Sequence, residues 1–421
     1  IWIGTFGGGL NLYDRQEKKF YHVLNRPEDE SSLPNNYINC ILEDRTGIIW
    51  IGTFGGGIAK YCEPIKKKFI HINQSARGGL SLSANIVFAI LEDRQGQLWV
   101  GTYGGGLDCL DRKKRTRVNY RHQAGNPYSL GSDNIRCLLE DKAGFIWIGT
   151  YEGLERFDLQ RKIFTHFRHD PDDPGSLSHN YVRALLEDEQ GFIWVGTLGG
   201  GLDCYNPQTG TFQHYRHQTA YPQTLSDNRV TSLLLDQEGY LWVGTSYGLN
   251  RLDRDSGKVI RFLAKANNPD SLSNNRILCL YQDAQGRLWI GTYGGGLNLF
   301  DQDTNKFRVF KQKDGLPNNV VYGIVEDNQG RLWISTNQGL CCFDPDRMKF
   351  RNYDVSDGLQ SNEFNSKAVF KNKKGEIFFG GVNGLNIFHP ESMPLNQHQP
   401  SVVLTGLRVL YQPVSLNTEN N

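Results

Sequence analysis

Glu43 to Ile58 reads E-D-R-T-G-I-I-W-I-G-T-F-G-G-G-I, and this string recurs along the whole chain. Its tryptophan returns as Trp2, Trp50, Trp99, Trp147, Trp194, Trp242, Trp289 and Trp333, so one position accounts for all eight tryptophans of the 421 residues. Phe378 takes the ninth place in K-G-E-I-F-F-G-G, and successive steps run from 44 to 49 residues. Within one unit, Asn180 to Tyr215, there are four short apolar runs: Y-V-R-A-L-L-E-D, F-I-W-V-G-T, G-L-D-C-Y-N and T-F-Q-H-Y. Gly, Asp, Asn or Pro bounds each of them, and none carries a helical period. Four strands per repeat of this length define a propeller blade, which must stack on its neighbours to bury both faces. The expected fold is all-β: a β-propeller of seven or eight four-stranded blades, with eight the preferred count.

The repeats fill residues 1–390, with an incomplete first blade. First strands begin near Asn36, Asn85, Asp133, Asn180, Asn228, Asn275, Asn319 and Asn365. The last of these blades supplies three strands, and the N-terminal strand Phe20 to Val23 is the candidate to complete it. A seven-bladed ring with a later start is the alternative. Residues 391–399 read as a linker. Residues 400–421, P-S-V-V-L-T-G-L-R-V onward, read as the truncated start of a second, β-sandwich-like domain. The chain opens inside a blade and reads as a piece of a longer protein.

The net charge of +1 gives no electrostatic case for nucleic acid. The basic run Arg112 to Arg117 falls on a hairpin turn, where solvated charges are expected. Cys40, Cys137 and Cys279 share one column with Ala89, Ala184 and Ser232, so cysteine acts there as a small hydrophobe. No C-x-x-C pair occurs, and His122, His166, His169, His214 and His217 fall on different blades, so no metal and no cofactor are expected. The triple glycines, such as Gly104 to Gly106, precede strands rather than helices, which argues for tight turns against a phosphate cradle. The acidic pairs, such as Glu187-Asp188, recur in nearly every blade, where a catalytic pair would be singular. They read as turn chemistry, and the fragment is expected to be non-catalytic.

Function on a propeller concentrates in the variable loops at one end of the axis. Here these are the long connections from fourth to first strands, such as H-D-P-D-D-P-G-S-L-S-H-N. Two varying columns at the entry of the first strands lie at the same end. Seven residues before the closing aspartate stand Tyr37, Ile86, Asn134, Tyr181, Arg229, Arg276 and Val320. Five before it stand Asn39, Phe88, Arg136, Arg183, Thr231, Leu278 and Tyr322, with Lys367 equivalent in the last blade. Aromatic faces stack on sugar rings, and Arg and Asn give directional hydrogen bonds. The candidate ligand site is therefore Tyr37, Asn39, Asn134, Arg136, Tyr181, Arg183, Arg229, Thr231, Arg276, Tyr322 and Lys367. The alternative is that these side chains fill the channel and pair among themselves.

The whole unit S-L-S-x-N-x-V-x-x-L-x-E-D-x-x-G-x-I-W-V-G-T-x-G-G-G-L, as at Ser176 to Leu202, resembles the two-component regulator propeller repeat. D-G-L-Q-S-N-E-F-N, Asp357 to Asn365, resembles that family's closing blade. P-S-V-V-L-T-G-L-R-V resembles the start of its three-Y domain. The resemblance implies the sensor portion of a two-component receptor, often a histidine kinase, located in the periplasm or otherwise outside the cytoplasm. It implies an oligosaccharide or another small polar ligand, a second propeller of the same chain as neighbour, and a membrane-anchored, dimeric full-length protein. The rival expectation is a propeller that binds a partner protein, and the third is a carbohydrate-active enzyme.

Overall fold

The computed structural model describes residues 1–15, 18–27, 32–44, 48–62, 69–76, 80–393, 407–409 and 412–414. It divides into two compact units, Ile1–Lys67 with Met393–Asn421, and Lys68–Ser392.

The second unit is a closed ring of seven four-stranded antiparallel sheets. The inner strands are Val87–Glu92, Ile135–Glu140, Val182–Glu187, Val230–Leu235, Ile277–Gln282, Val321–Glu326 and Phe364–Lys371, and they number blades one to seven. Blade seven is completed by Ile70–Ile72, which pairs with Leu385–Ile387 of that blade. The strand expected to close the ring, Phe20 to Val23, instead pairs with Leu10–Tyr13 in its own sheet. The ring thus has seven blades, the later-start count, and the preferred eight is corrected. The reason is local. Ile70–Ile72 stands just ahead of Asn85, as every fourth strand stands ahead of the next inner strand. Its Ile72 is buried with Val87, Leu98, Leu385 and Ile387.

The repeat's invariant pieces each make a defined contact. Asp188 Oδ1 accepts the turn N–H groups of Gln190 and Phe192, and its Oδ2 accepts the Trp194 indole N–H at 2.8 Å. The same indole link joins Asp93 to Trp99 and Asp327 to Trp333. The glycine after the tryptophan is a contact between blades. A Cβ on Gly196 would stand 2.6 Å from Val230 of blade four and 3.1 Å from Ala184 of its own inner strand. On Gly149 it would meet Cys137 and Val182, and on Gly380 of blade seven it would meet Val87 of blade one. The small column and the glycine are therefore two halves of one packing solution that repeats around the ring.

The acidic pairs are turn chemistry. Glu140 accepts the Arg94 N–H of the preceding blade's turn, Glu187 that of Lys142, and Glu326 that of Ala284. Arg112, read as solvated, instead makes a bidentate pair with Glu376 at 2.8 and 2.7 Å, clamping blade one to blade seven.

The first unit holds two three-stranded sheets, Trp2–Gly4 with Leu10–Asp14 and Lys19–Val23, and Ile38–Glu43 with Ile48–Thr53 and Gly57–Cys62. A Cβ on Gly4 would lie 2.6 Å from Ile38, so these sheets stack as blades do. The expectation of one propeller over 1–390 accordingly divides, with the closed ring beginning beyond residue 67. Of the segment 400–421, only the short hairpin Leu407–Val409 with Gln412–Val414 is described. Most of the 391–399 linker and the rest of that segment lie outside the described residues.

Candidate functional site

Six inner strands of the ring share one irregularity. A single residue is left without a ladder partner between two paired positions. These residues are Phe88, Arg136, Arg183, Thr231, Leu278 and Tyr322, the column five before the closing aspartate. A β-bulge bends the strand and re-aims its side chain, so the column is free to vary where the ladder residues on either side are not. In blade seven the irregularity is larger. Asn180 precedes its turn aspartate Asp188 by eight residues, whereas Asn362 precedes its counterpart Asn372 by ten. The true strand-entry asparagine is Asn362, whose Oδ1 accepts the Val355 N–H, rather than Asn365. The two extra residues swell the strand into the bore. Asn365 Nδ2 donates to the Val87 carbonyl of blade one, and Ser366 Oγ reaches the Leu278 carbonyl of blade five at 3.4 Å. Lys367 sits on this swelling with φ of 65°, a left-handed conformation that side chains rarely adopt.

The column seven before the aspartate forms the rim. Its carbonyls accept the N–H of the residue that follows W-x-G-T: Ile86 from Tyr103, Asn134 from Tyr151, Arg276 from Tyr293. This third column, Tyr103, Tyr151, Leu198, Ser246, Tyr293 and Asn337, was missed in the sequence reading. Its signal was present, because it varies beside a threonine that is the same in all six of these blades.

Together the columns build an aromatic and cationic arc across blades one to three. Phe88 meets Tyr103 at 6.4 Å, Tyr103 meets Tyr151 at 5.9 Å, and Tyr151 lies 4.2 Å from Tyr181. The Arg136 guanidinium lies 3.8 Å over Phe88 and 5.8 Å from Tyr151. On the opposite side Arg276 lies 4.1 Å over Tyr293, and the Tyr322 hydroxyl faces Asn337.

The candidates do not all converge. Tyr37 and Asn39 belong to the first unit, outside the ring. Thr231 is buried and its hydroxyl donates to the Ile277 carbonyl of the next blade, a structural role. Arg229 is exposed and paired with Asp227 at 2.6 Å. Asn134 lies on the rim opposite Tyr103. Arg136, Tyr181, Arg183, Arg276, Tyr322 and Lys367 remain as the group the ring assembles.

Electrostatics mark the centre of this group. Burial, reinforced by Arg136, pulls the Arg183 guanidinium down to about 10. Burial, with Arg183 and Arg136 adding to it, pulls the Lys367 ammonium down to about 8. Water reaches both along the bore, while protein surrounds them on the other sides. Arg136 and Lys367 line a cavity of about 860 Å³ that runs toward the turn end, and Lys367 also lines a second of about 480 Å³ with Cys279 and Tyr281. The histidines stay on their own blades: His166 meets Glu155, His214 meets Asp203 at 2.7 Å, and His122, His169 and His217 meet backbone carbonyls. Among the described residues no group of three or more His, Cys, Asp or Glu could hold a metal ion.

Fold and bore define a closed seven-bladed propeller that presents a polar and aromatic face at its loop end. The two component regulator propeller repeat matches residues 32–55, 81–104, 129–152, 176–199, 224–247, 271–294 and 315–338, and the chain belongs to that family. It is 31% identical to the extracellular domain of the hybrid two-component system BT3049 from B. thetaiotaomicron, over all of this chain and 53% of that one, with a TM-score of 0.76. The extracellular domain of BT4673 from the same organism is 23% identical, covers 97% of this chain and 53% of its own length, and has a TM-score of 0.64. Virginiamycin B lyase from Staphylococcus aureus, at 14% identity over 72% of this chain and 94% of its own, with a TM-score of 0.55, shares the fold alone. No curated protein matches the chain. The chain spans about half the length of the two-component ectodomains it resembles, and among its described residues no helix is long and apolar enough to cross a membrane.

Proposed function

We propose that this chain is the non-catalytic, ligand-sensing propeller of an extracytoplasmic two-component receptor, and that it takes an oligosaccharide or another small polar ligand at the loop-end mouth of the bore. The observation that carries this reading is the assembly of Phe88, Tyr103, Tyr151 and Tyr181 beside Arg136 and Arg183 at one end of a rigid ring. Stacking surfaces next to cationic donors suit a sugar bearing polar substituents. Ligand at this mouth would bias a two-state arrangement of domains, which passes the signal to the output half of the receptor. The likeness to the extracellular domain of BT3049 supports the location outside the cytoplasm; a membrane-anchored, dimeric whole with a second propeller of the same chain as neighbour is part of the same proposal.

A protein partner is the second reading, favoured by the exposed Tyr128 and Tyr221 on the long loops. Thermal denaturation of the chain against neutral and acidic oligosaccharides separates the two. A ligand at one hundred times its dissociation constant stabilises the fold by about 2.7 kcal/mol. The expected hit is weakened at least tenfold by Tyr151→Ala and unchanged by Arg229→Ala. Silence across the panel in a folded protein overturns the sugar reading and leaves the protein partner.

A further inference from the structure

The interior of the bore holds more positive charge than anything around it balances. Arg136 is 7% exposed, and its Nε has no hydrogen-bond partner. Among the described residues, neither Arg183 nor Lys367 has a carboxylate within ion-pair reach. The groups that act most strongly on Lys367 are Cys137, Arg183, Cys279 and Arg136; those on Arg183 are Arg136, Tyr181, Arg276 and Tyr151. Both cysteines are thiols pushed upward by burial, so they bring no negative charge near neutrality. At the same level blades one, four and six contribute Phe88, Thr231 and Tyr322, all neutral. Carboxylates do line the longer cavity, but at its far end and already engaged. Glu92 meets Asn372 and Arg112, Asp93 holds the Trp99 turn, and Glu140 meets Arg94.

Arg136 is buried and Arg183 and Lys367 are half-buried, and a charge drawn even partly out of water is ordinarily paired. Three like charges brought together in a narrow bore are costly in the empty protein. One of them stands on a chain swelling that only the last blade has, on a backbone conformation that is itself unfavourable. An oxyanion entering the bore would bring a negative charge to the Arg136 and Arg183 guanidiniums and the Lys367 ammonium together.

We propose that the bore contains an oxyanion site in which Arg136, Arg183 and the bulge-borne Lys367 hold one carboxylate or sulfate group. The group is either free or carried by a sugar acid whose ring rests on the rim tyrosines. The inference rests on the ligand-sensing reading and narrows it to a ligand with a negative charge at its leading end. Binding draws a proton onto Lys367, so affinity falls as pH rises through about 8 and beyond.

The test is isothermal titration and thermal denaturation of the chain at fixed ionic strength. The probes are sodium sulfate, sodium glucuronate, a glucuronate-containing disaccharide and methyl glucoside as the neutral control. Sulfate and glucuronate are expected to bind at pH 7, about tenfold or more weaker at pH 9.5, with methyl glucoside silent. Lys367→Met, which removes one of three clustered like charges and so should fold at least as well, is expected to abolish binding of the small anions. Arg183→Lys, which keeps the charge, retains part of it. A disaccharide that binds at least tenfold tighter than free glucuronate assigns the anion to a sugar; equal affinities assign the site to the free anion. Unchanged binding in Lys367→Met, or no dependence on pH, overturns the site. Rim binding of neutral oligosaccharides with both anions silent overturns the oxyanion site and leaves the sensing reading standing. Silence of every probe removes both.

Discussion

The aspartate of the repeat shows how much one side chain can do. In six blades of the ring its two carboxylate oxygens are divided, one to the turn backbone and one to the indole six residues on. Blade seven replaces the pair together. Asn372 keeps the turn through its Oδ1, which accepts the N–H groups of Lys374 and Glu376, while Phe378 has no N–H to offer. The freed amide instead donates to Glu376 and to Glu92 of blade one. The two positions are therefore coupled. Asp141→Asn should cost about 1–3 kcal/mol, because it sets an amide donor against the buried Trp147 N–H. Adding Trp147→Phe should cost less in that background than alone, by about 1 kcal/mol of coupling in a double-mutant cycle read by denaturant unfolding. The turn role of this aspartate was legible in the sequence, since Asp followed by Gly is turn chemistry. The indole bond was not, because it depends on the tryptophan's rotamer in the packed blade.

A blade is held to the next chiefly by close packing of inner strands on the glycine of W-x-G-T. Gly196→Ala places a methyl against Val230 and Ala184 with no flexible side chain to yield, and should destabilise the ring by about 1–3 kcal/mol. Gly104→Ala, where nothing lies within 4 Å of the added carbon, should cost only the strain of its positive φ. Comparing the two by chemical denaturation separates crowding from backbone conformation; equal costs would refute the packing argument. The inner strand also explains the site columns. The sequence shows which positions vary, and the bulge explains why. The two-residue insertion in blade seven was hidden because Lys367 was counted back from Asn372, across the swelling.

Closure is a property of the whole ring. It is secured by one three-residue strand, Ile70–Ile72, by Phe69 against Phe388 at 5.0 Å, and by Arg112 with Glu376. Residues 69–393 should therefore fold alone as a cooperative ring, whereas 80–393, without the closing strand, should melt earlier and less cooperatively by circular dichroism. Arg112 beside Glu376 holds that carboxyl down at about 2, below its ordinary 4.5. Its contribution is then complete above pH 4.5 and lost as pH falls toward 2. The stability gap between the wild type and Glu376→Gln should narrow over that window, and a gap that does not change with pH would show that the pair is not closing the ring. The sequence by itself determined the repeat, the four-stranded blade and most of the columns whose side chains meet in the bore, because each of these is a local pattern copied many times. Only the tertiary structure decided where the ring begins, which fourth strand closes it, and which candidates meet. Those outcomes turn on contacts more than 250 residues apart, such as Arg112 with Glu376 and Asn365 with Val87, which no periodicity encodes.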